Sequence, residues 1–353
     1  MKTRLIYRIL TVLFISFCYC VLPTADKARA GSITGTVVDD DGGAFIGDVR
    51  VAVYAENNAA KIIAEDNTDA ATGAYSITGL DNGDYKVWFI TDATDYIKKW
   101  YNDSTDFSGA QTVSLTSATP DVDLEETALT LGGKITGTVT YNAASPTEPV
   151  YVQAYNAVSG AWVKTTQVNS STGEYTVRGL PAGGYTVKFW AFLTEYVTAW
   201  YNDTLSRNTA TSVSVAQGGS ETLGINAQLV LGGKISGTVT DIDGNPVEGT
   251  LVQVYDSLDS EELRGFAYTG ETGIYTVKGL PLGGSVKVRF CERQEADGSC
   301  GGLTEWYDDK INFDSADIVT VPDTGIDGID AVLESRFNWW LFTPALTHRP
   351  AAL

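Results

Sequence analysis

The 353-residue sequence is poor in the side chains that carry most enzyme chemistry. It has one histidine, His348, near its end. Ser-His-Asp and Cys-His arrangements need a histidine beside the nucleophile, and most zinc sites use histidine or clustered cysteine. No glycine-rich phosphate loop follows a strand pattern. Paired carboxylates could still run a hydrolysis, but among 44 acidic residues such pairs arise by chance. The sequence therefore predicts a protein that is not an enzyme.

Positive charge is also scarce. Lysine and arginine number 24 against 44 acidic residues, which gives a net charge of −20. Such a surface repels phosphate backbones and anionic lipid head groups. We therefore expect no nucleic-acid partner, although the acidic surface could attract divalent cations.

Long apolar runs are confined to the start of the chain. A basic segment (2–8) precedes an apolar run (9–22), and Ala28-Arg29-Ala30 provides a small-x-small cleavage pattern. These features predict a cleavable signal peptide over residues 1–30 and a secreted, extracellular or cell-surface protein. No later stretch reaches about 18 apolar residues, so we expect no membrane span.

Cysteine is limited to four residues. Cys18 and Cys20 lie in the predicted signal peptide, where their bulky neighbours argue against a lipid anchor. Cys291 and Cys300 bracket an enlarged loop late in the chain. Disulfides persist in exported proteins, and neither a Cys-x-x-Cys spacing nor further soft ligands accompany this pair. We therefore predict a structural disulfide between Cys291 and Cys300.

Repetition is what the sequence has in abundance. A Trp-Tyr-Asn/Asp-Asp motif begins at positions 100, 200 and 306, and a Thr-Gly-x-Tyr-x-Val/Ile-x-Gly-Leu motif begins at 72, 172 and 272. A period of about 100 residues exceeds that of solenoids, so each unit can bury its own core. The predicted repeats are 31–131, 132–231 and 232–334, followed by a C-terminal tail of unknown role, 335–353.

Each repeat alternates apolar and polar residues with a period of two. Ile135, Gly137 and Val139 fall on one face of a strand, and the residues between them fall on the other. In the third repeat one strand runs a position late, which indicates a one-residue insertion in the preceding turn. About seven short strands per repeat predict an all-β fold: three tandem Ig-like or prealbumin-like antiparallel β-sandwich domains. Short Gly-Gly joints favour an elongated, monomeric rod.

The Trp-Tyr pair has two interpretations, because consecutive strand residues point to opposite faces. In the first, Trp100, Trp200 and Trp306 fill the sandwich cores. In the second, the tyrosines are exposed platforms for sugar rings or partner side chains, with neighbouring asparagines supplying hydrogen bonds. The candidate ligand-binding residues are Tyr101, Asn102, Tyr201, Asn202 and Tyr307.

An acidic turn in the third repeat allows a further interpretation. Asp241 and Asp243 resemble the start of a calcium loop, but the downstream bidentate glutamate is missing. A solvated β-turn is the alternative. Asn102, Asn169 and Asn202 also fit the N-glycosylation triplet. We therefore expect no cofactor, with calcium as a weak candidate.

The repeated motifs resemble a known family. The Ile-Thr/Ser-Gly-Thr-Val strand (33–37, 135–139 and 235–239), the Thr-Gly-x-Tyr strand and the Pro-x-Gly-Gly-Tyr turn are similar to the carboxypeptidase regulatory-like domain. This resemblance covers residues 31 to about 334. It implies a transthyretin-like sandwich, grouped with starch-binding-like sandwiches, that is non-catalytic and associated with export. It also makes carbohydrate binding an expectation.

The sequence thus predicts an exported, non-catalytic binding or spacer protein whose favoured partner is a polysaccharide or cell-surface glycan. Three weak sites in one rod would gain avidity on a repetitive polymer. The alternative is a purely structural surface stalk or adhesin segment that binds protein or no ligand.

Overall fold

The computed structural model describes residues 30–260, 262–294 and 300–333. The predicted tail and all but the last residue of the predicted signal peptide lie outside these ranges. The described residues form β-strands and one short 3₁₀ helix, Arg207–Thr209. No helix in the described ranges is long and apolar enough to cross a membrane.

The strands form three successive groups. The first is β1 (Gly31–Asp39), β2 (Arg50–Ala55), β3 (Ile62–Asn67), β4 (Ala74–Leu80), β5 (Gly83–Ile90), β6 (Lys99–Trp100), β7 (Val113–Leu115) and β8 (Asp121–Leu129). The second is β9 (Gly133–Tyr141), β10 (Tyr151–Asn156), β11 (Trp162–Gln167), β12 (Glu174–Leu180), β13 (Gly183–Trp190), β14 (Ala199–Trp200), β15 (Val213–Val215), β16 (Glu221–Thr222) and β17 (Ala227–Leu229). The third is β18 (Gly233–Asp241), β19 (Leu251–Asp256), β20 (Leu263–Tyr268), β21 (Ile274–Leu280), β22 (Ser285–Gln294), β23 (Cys300–Trp306), β24 (Val319–Thr320) and β25 (Ala331–Leu333).

Each group builds two facing sheets. The larger sheet has five strands, ordered β3-β2-β5-β6 with β7 also on β5 in the first group. The smaller sheet is ordered β4-β1-β8, and equivalent sheets recur in the second and third groups. Most neighbours are antiparallel, but the first strand of each group pairs in parallel with the last. The all-β array of sandwiches is therefore confirmed, and we call the groups the first, second and third sandwich. The repeat boundaries remain predictions.

The core of each sandwich lies between its two sheets. In the first sandwich Val51 and Val53 of β2 are fully buried in it, as the alternation predicts. A tyrosine from the smaller sheet meets a phenylalanine from the larger sheet edge-on, with Tyr75 and Phe89 centred 6.0 Å apart. The other two sandwiches repeat this pair at 5.9 Å. Each interior is thus closed by the same contact between the sheets.

The register accounts for the late strand of the third repeat. Val152 pairs with Phe189 in the second sandwich, and Val252 pairs with Phe290 in the third. The turn before β22 is therefore one residue longer than the turn before β13, which keeps Phe290 on the core face.

Candidate functional site

The Trp-Tyr-Asn-Asp motif is a tight turn at the edge of the five-stranded sheet. The Trp100 N–H donates to the Ser104 carbonyl at 2.9 Å, which closes the turn. Asn102 and Asp103 between them have φ of 61° and 62°. The same left-handed pair recurs at Asn202–Asp203 and Asp308–Asp309. Asn and Asp tolerate this conformation better than other non-glycine residues, so the turn itself explains why they recur.

The two rings of the motif lie where neither sequence interpretation placed them. Trp100, Trp200 and Trp306 are buried, but on the outer face of the larger sheet and not in the sandwich core. The tyrosines are half-buried, and each packs against the core of its sandwich: Tyr101, Tyr201 and Tyr307. The outer face is covered by a loop, so facing outwards does not mean facing water. A ligand-binding role for these tyrosines, Asn102 and Asn202 stays a prediction.

An aromatic cluster covers the outer face of the first sandwich. Trp88 stacks on Trp100, with ring centres 5.2 Å apart and planes 10° from parallel. Phe107, from the loop after the turn, meets Trp100 edge-on at 5.2 Å. The Lys86 ammonium lies 5.0 Å from the Phe107 ring centre and donates to the Phe107 carbonyl at 2.8 Å. The loop is therefore held down by both a cation–π contact and a hydrogen bond.

The third sandwich preserves this cover. Phe313 meets Trp306 edge-on at 5.4 Å, and the Lys287 ammonium lies 4.3 Å from the Phe313 ring centre. Arg289 replaces the stacked tryptophan, with its guanidinium 5.9 Å from the Trp306 ring centre. A cation on the ring face thus substitutes for a stacked indole.

The second sandwich departs from the pattern. Arg207 stands where the others have phenylalanine, seven residues after the tryptophan, and Thr186 stands where they have lysine. A lysine opposite Arg207 would repel it, so the two changes are compatible with each other. Arg207 Nη1 donates to the Gly160 carbonyl at 3.2 Å.

A cavity of about 210 Å³ lies beside this position, where the second and third sandwiches meet. Its lining residues are Tyr155, Lys188, Trp200, Arg207, Asn208, Asp259 and Glu262. Lys188 and Glu262 are both buried, with Nζ and Oε1 3.4 Å apart. Burial lowers the pKa of Lys188, although the Glu262 carboxylate favours the charged form.

The joints between sandwiches share one backbone contact. The loop between β5 and β6 places the Tyr96 carbonyl beside Gly179 of β12, where a Cβ would lie 2.4 Å from the oxygen. The equivalent loop places the Tyr196 carbonyl at the same 2.4 Å from a Cβ on Gly279 of β21. Both glycines have positive φ, 68° and 66°. Each sandwich thus docks on the next through a site that only glycine fits.

Acidic side chains of the same loops meet basic residues across each joint. Asp95 lies 2.8 Å from Lys134 and 3.4 Å from Arg178. Glu195 lies 2.9 Å from Lys278. The linkers are also tied to the loops, because the Gly132 and Gly232 N–H groups donate to the Asp95 and Glu195 carbonyls at 2.9 and 2.8 Å. The two joints are therefore built alike.

The cysteine prediction is confirmed, since a disulfide joins Cys291 and Cys300 with Cα atoms 5.6 Å apart. The calcium interpretation gains no support. The Asp241 carboxylate accepts hydrogen bonds from the N–H groups of Asp243 and Asn245 within its own turn. Within the described ranges, no group of three or more His, Cys, Asp or Glu side chains could hold a metal ion.

No protein-family model matches the chain, and no curated protein matches it in sequence. Solved structures to which it is similar include the TIE protein of Bacillus anthracis, at 16% identity over 87% of this chain and 50% of that one, with a TM-score of 0.23. The major pilin subunit BcpA of Bacillus cereus matches at 12% identity over 87% of this chain and all of that one, with a TM-score of 0.21. A streptococcal ancillary pilin matches at 13% identity over 86% and 98% of the two chains, with a TM-score of 0.24. At these identities and TM-scores, the matches assign neither a family nor a role to this chain.

Sequence reasoning predicted short Gly-Gly joints but missed the docking contacts at them, and it missed the cavity. The replacement of phenylalanine by Arg207 is visible when the repeats are aligned, but only the fold places that residue in the lining of a cavity that Trp200 also lines. The second glycine of the Thr-Gly-x-Tyr-x-Val/Ile-x-Gly-Leu motif is equally visible in the sequence. Only the fold shows that Gly179 and Gly279 lie against the preceding sandwich.

Proposed function

We propose that this protein is an exported, non-catalytic spacer of the carboxypeptidase regulatory-like type, with carbohydrate as its favoured ligand class. The observation that carries the spacer role is the repeated joint, in which a tyrosine carbonyl docks against a left-handed glycine. The same contact made twice fixes each sandwich relative to the next and gives a stiff array. A stiff array separates whatever its two ends bind.

The sequence supports a non-catalytic role. Its one histidine lies in the tail, and the two cysteines outside the predicted signal peptide form a disulfide. The buried ion pair of Lys188 with Glu262 joins the second sandwich to the third and contributes to their docking. The predicted signal peptide supports export to the extracellular space or cell surface, where such a spacer would act.

Small-angle X-ray scattering tests the spacer role on the full mature chain. We expect the profile of a single extended shape that keeps its maximum dimension between about 0.15 M and 1 M salt. Added salt screens the exposed ion pairs of the joints but leaves the backbone contacts in place. A profile typical of three independently tumbling domains, at either salt concentration, would contradict the proposal.

Carbohydrate binding requires its own test, because half-burial of the tyrosines favours the alternative of a stalk without a ligand. Polysaccharide pull-down would compare the wild type with a variant in which Tyr101, Tyr201 and Tyr307 are alanine. The matched control replaces the same tyrosines with phenylalanine, which preserves the packed ring. Binding lost with alanine and retained with phenylalanine supports the tyrosine sites, and binding indifferent to alanine removes them.

A further inference from the structure

We propose that the cavity between the second and third sandwiches binds one neutral sugar ring. This inference rests on carbohydrate being the ligand class of the proposed function, and the spacer role does not depend on it. The site is separate from the three tyrosines that the sequence indicates.

The cavity exists because the second sandwich lacks the aromatic cover of its neighbours. Phe107 and Phe313 fill the equivalent place in the other sandwiches, 5.2 and 5.4 Å from their tryptophans. Arg207 instead donates a hydrogen bond to the Gly160 carbonyl. The remaining volume is about 210 Å³. A cavity of about 150 Å³ holds a benzene molecule, so this one has room for a six-membered ring with its hydroxyl groups.

The lining groups select a neutral, hydroxyl-rich ligand. Two cations, Lys188 and Arg207, face two anions, Asp259 and Glu262, and Asn208 adds an amide. Hydroxyl groups can accept from Lys188 and Arg207 and can donate to Glu262. An anion or a cation would meet a like charge on one side of the cavity, whereas a polyhydroxylated ring meets partners on both.

The deepest polar groups have bonding capacity left. Glu262 Oε1 lies 3.4 Å from Lys188 Nζ, 3.5 Å from Trp200 Nε1 and 3.9 Å from Arg264 Nη1, so all three contacts are at or beyond the long limit for a hydrogen bond. Buried charges with weak partners are costly, and a ligand hydroxyl between them would satisfy both. The pair therefore favours an occupant that both donates and accepts.

Binding would also tighten the joint. Tyr155, Lys188 and Arg207 belong to the second sandwich, while Asp259 and Glu262 belong to the third. A ligand that contacts both sides stabilises the docked arrangement over the undocked one. The ligand should therefore raise the melting temperature as well as bind.

The test uses saturation-transfer NMR on the full mature chain with the methyl pyranosides of glucose, galactose, mannose and xylose. We expect saturation transfer to at least one of them, with a Kd on the order of 1 mM for a ligand this small. The double variant Arg207→Phe with Thr186→Lys rebuilds the aromatic cover of the other sandwiches and should abolish the transfer. Glu262→Gln should weaken binding at least about tenfold, because it removes one charge-assisted hydrogen bond.

Glu174→Gln, an exposed acid of the same sandwich away from the cavity, is the matched control and should bind like the wild type. Saturation transfer to none of the four glycosides overturns the proposal. Unchanged binding in the double variant overturns it too. If the double variant fails to fold, unchanged binding in Glu262→Gln overturns the proposal instead. Stronger binding of galacturonate than of methyl galactoside would overturn the neutral class. None of these outcomes alters the scattering test of the spacer role.

Discussion

Substitution of the joint glycines offers a direct test of how the sandwiches dock. Gly279→Ala places a Cβ 2.4 Å from the Tyr196 carbonyl oxygen, so the loop must move away. Alanine at a φ of 66° also costs about 1 kcal/mol in the third sandwich itself. Gly79→Ala is the matched control, because that glycine has a φ of 81° and no atom of the described residues lies within 4 Å of the added Cβ.

The size of the docking loss follows from the contacts beside Gly279. Retreat of the loop gives up the hydrogen bond from Gly232 to the Glu195 carbonyl, worth about 1 kcal/mol. It also gives up the exposed pair of Glu195 with Lys278, worth roughly 0.5 kcal/mol after solvent screening. We therefore expect Gly279→Ala to lose about 1.5 kcal/mol of docking beyond the cost that Gly79→Ala also carries.

The assay is the distance between spin labels on Val158 and Ile311, two exposed positions in the second and third sandwiches. A loss of 1.5 kcal/mol reduces the ratio of docked to undocked molecules by about tenfold. The distance distribution should therefore broaden in Gly279→Ala and match the wild type in Gly79→Ala. A distribution in Gly279→Ala as narrow as that of the wild type would refute the docking role of this glycine.

Further predictions concern individual sandwiches. The Tyr275 hydroxyl donates to the Ile329 carbonyl at 2.6 Å, whereas the buried Tyr75 hydroxyl has no partner among the described residues. By chemical denaturation, Tyr275→Phe should therefore cost about 1 kcal/mol of unfolding free energy and Tyr75→Phe almost nothing. Burial raises the pKa of both tyrosines above the ordinary 10.0, so stability present below pH 10 should fall as pH rises beyond it, and alkaline melting curves check this. Replacing Cys291 and Cys300 with serine should destabilise the third sandwich by about 2–3 kcal/mol, measured by calorimetry, since the disulfide closes a loop with a separation of 9 residues.

The fold was predictable because the sequence has two periods. Alternation every two residues identifies strands, and the repeat of about 100 residues divides them into units. The parallel pairing of the first and last strands leaves no such trace, because hydrophobic alternation is the same for either direction. Sequence reasoning therefore reached the class of fold and its mainly antiparallel pairing, but not the parallel pairing of the first and last strands.

The site was less predictable, because alternation assigns a residue to a face without saying what covers that face. Trp100 and Tyr101 do point to opposite faces. The outer face is closed by a loop that carries Phe107, seven residues further on, and no local pattern announces that contact. A buried ring could therefore be predicted for each motif, but not which side of the sheet would bury it.

The repeated glycine shows how one local requirement serves two purposes. Gly79, Gly179 and Gly279 all adopt positive φ, although no atom in the described part of the chain lies within 4 Å of a Cβ on Gly79. The strand-to-turn geometry therefore requires glycine in every sandwich, and docking uses the missing side chain in only two. The residue before the glycine differs between the sandwiches. It is basic where the glycine docks, Arg178 before Gly179 and Lys278 before Gly279, whereas Thr78 precedes Gly79. Among the described residues, the basic residue before the glycine, and not the glycine itself, thus distinguishes the second and third sandwiches, which dock on a preceding loop, from the first.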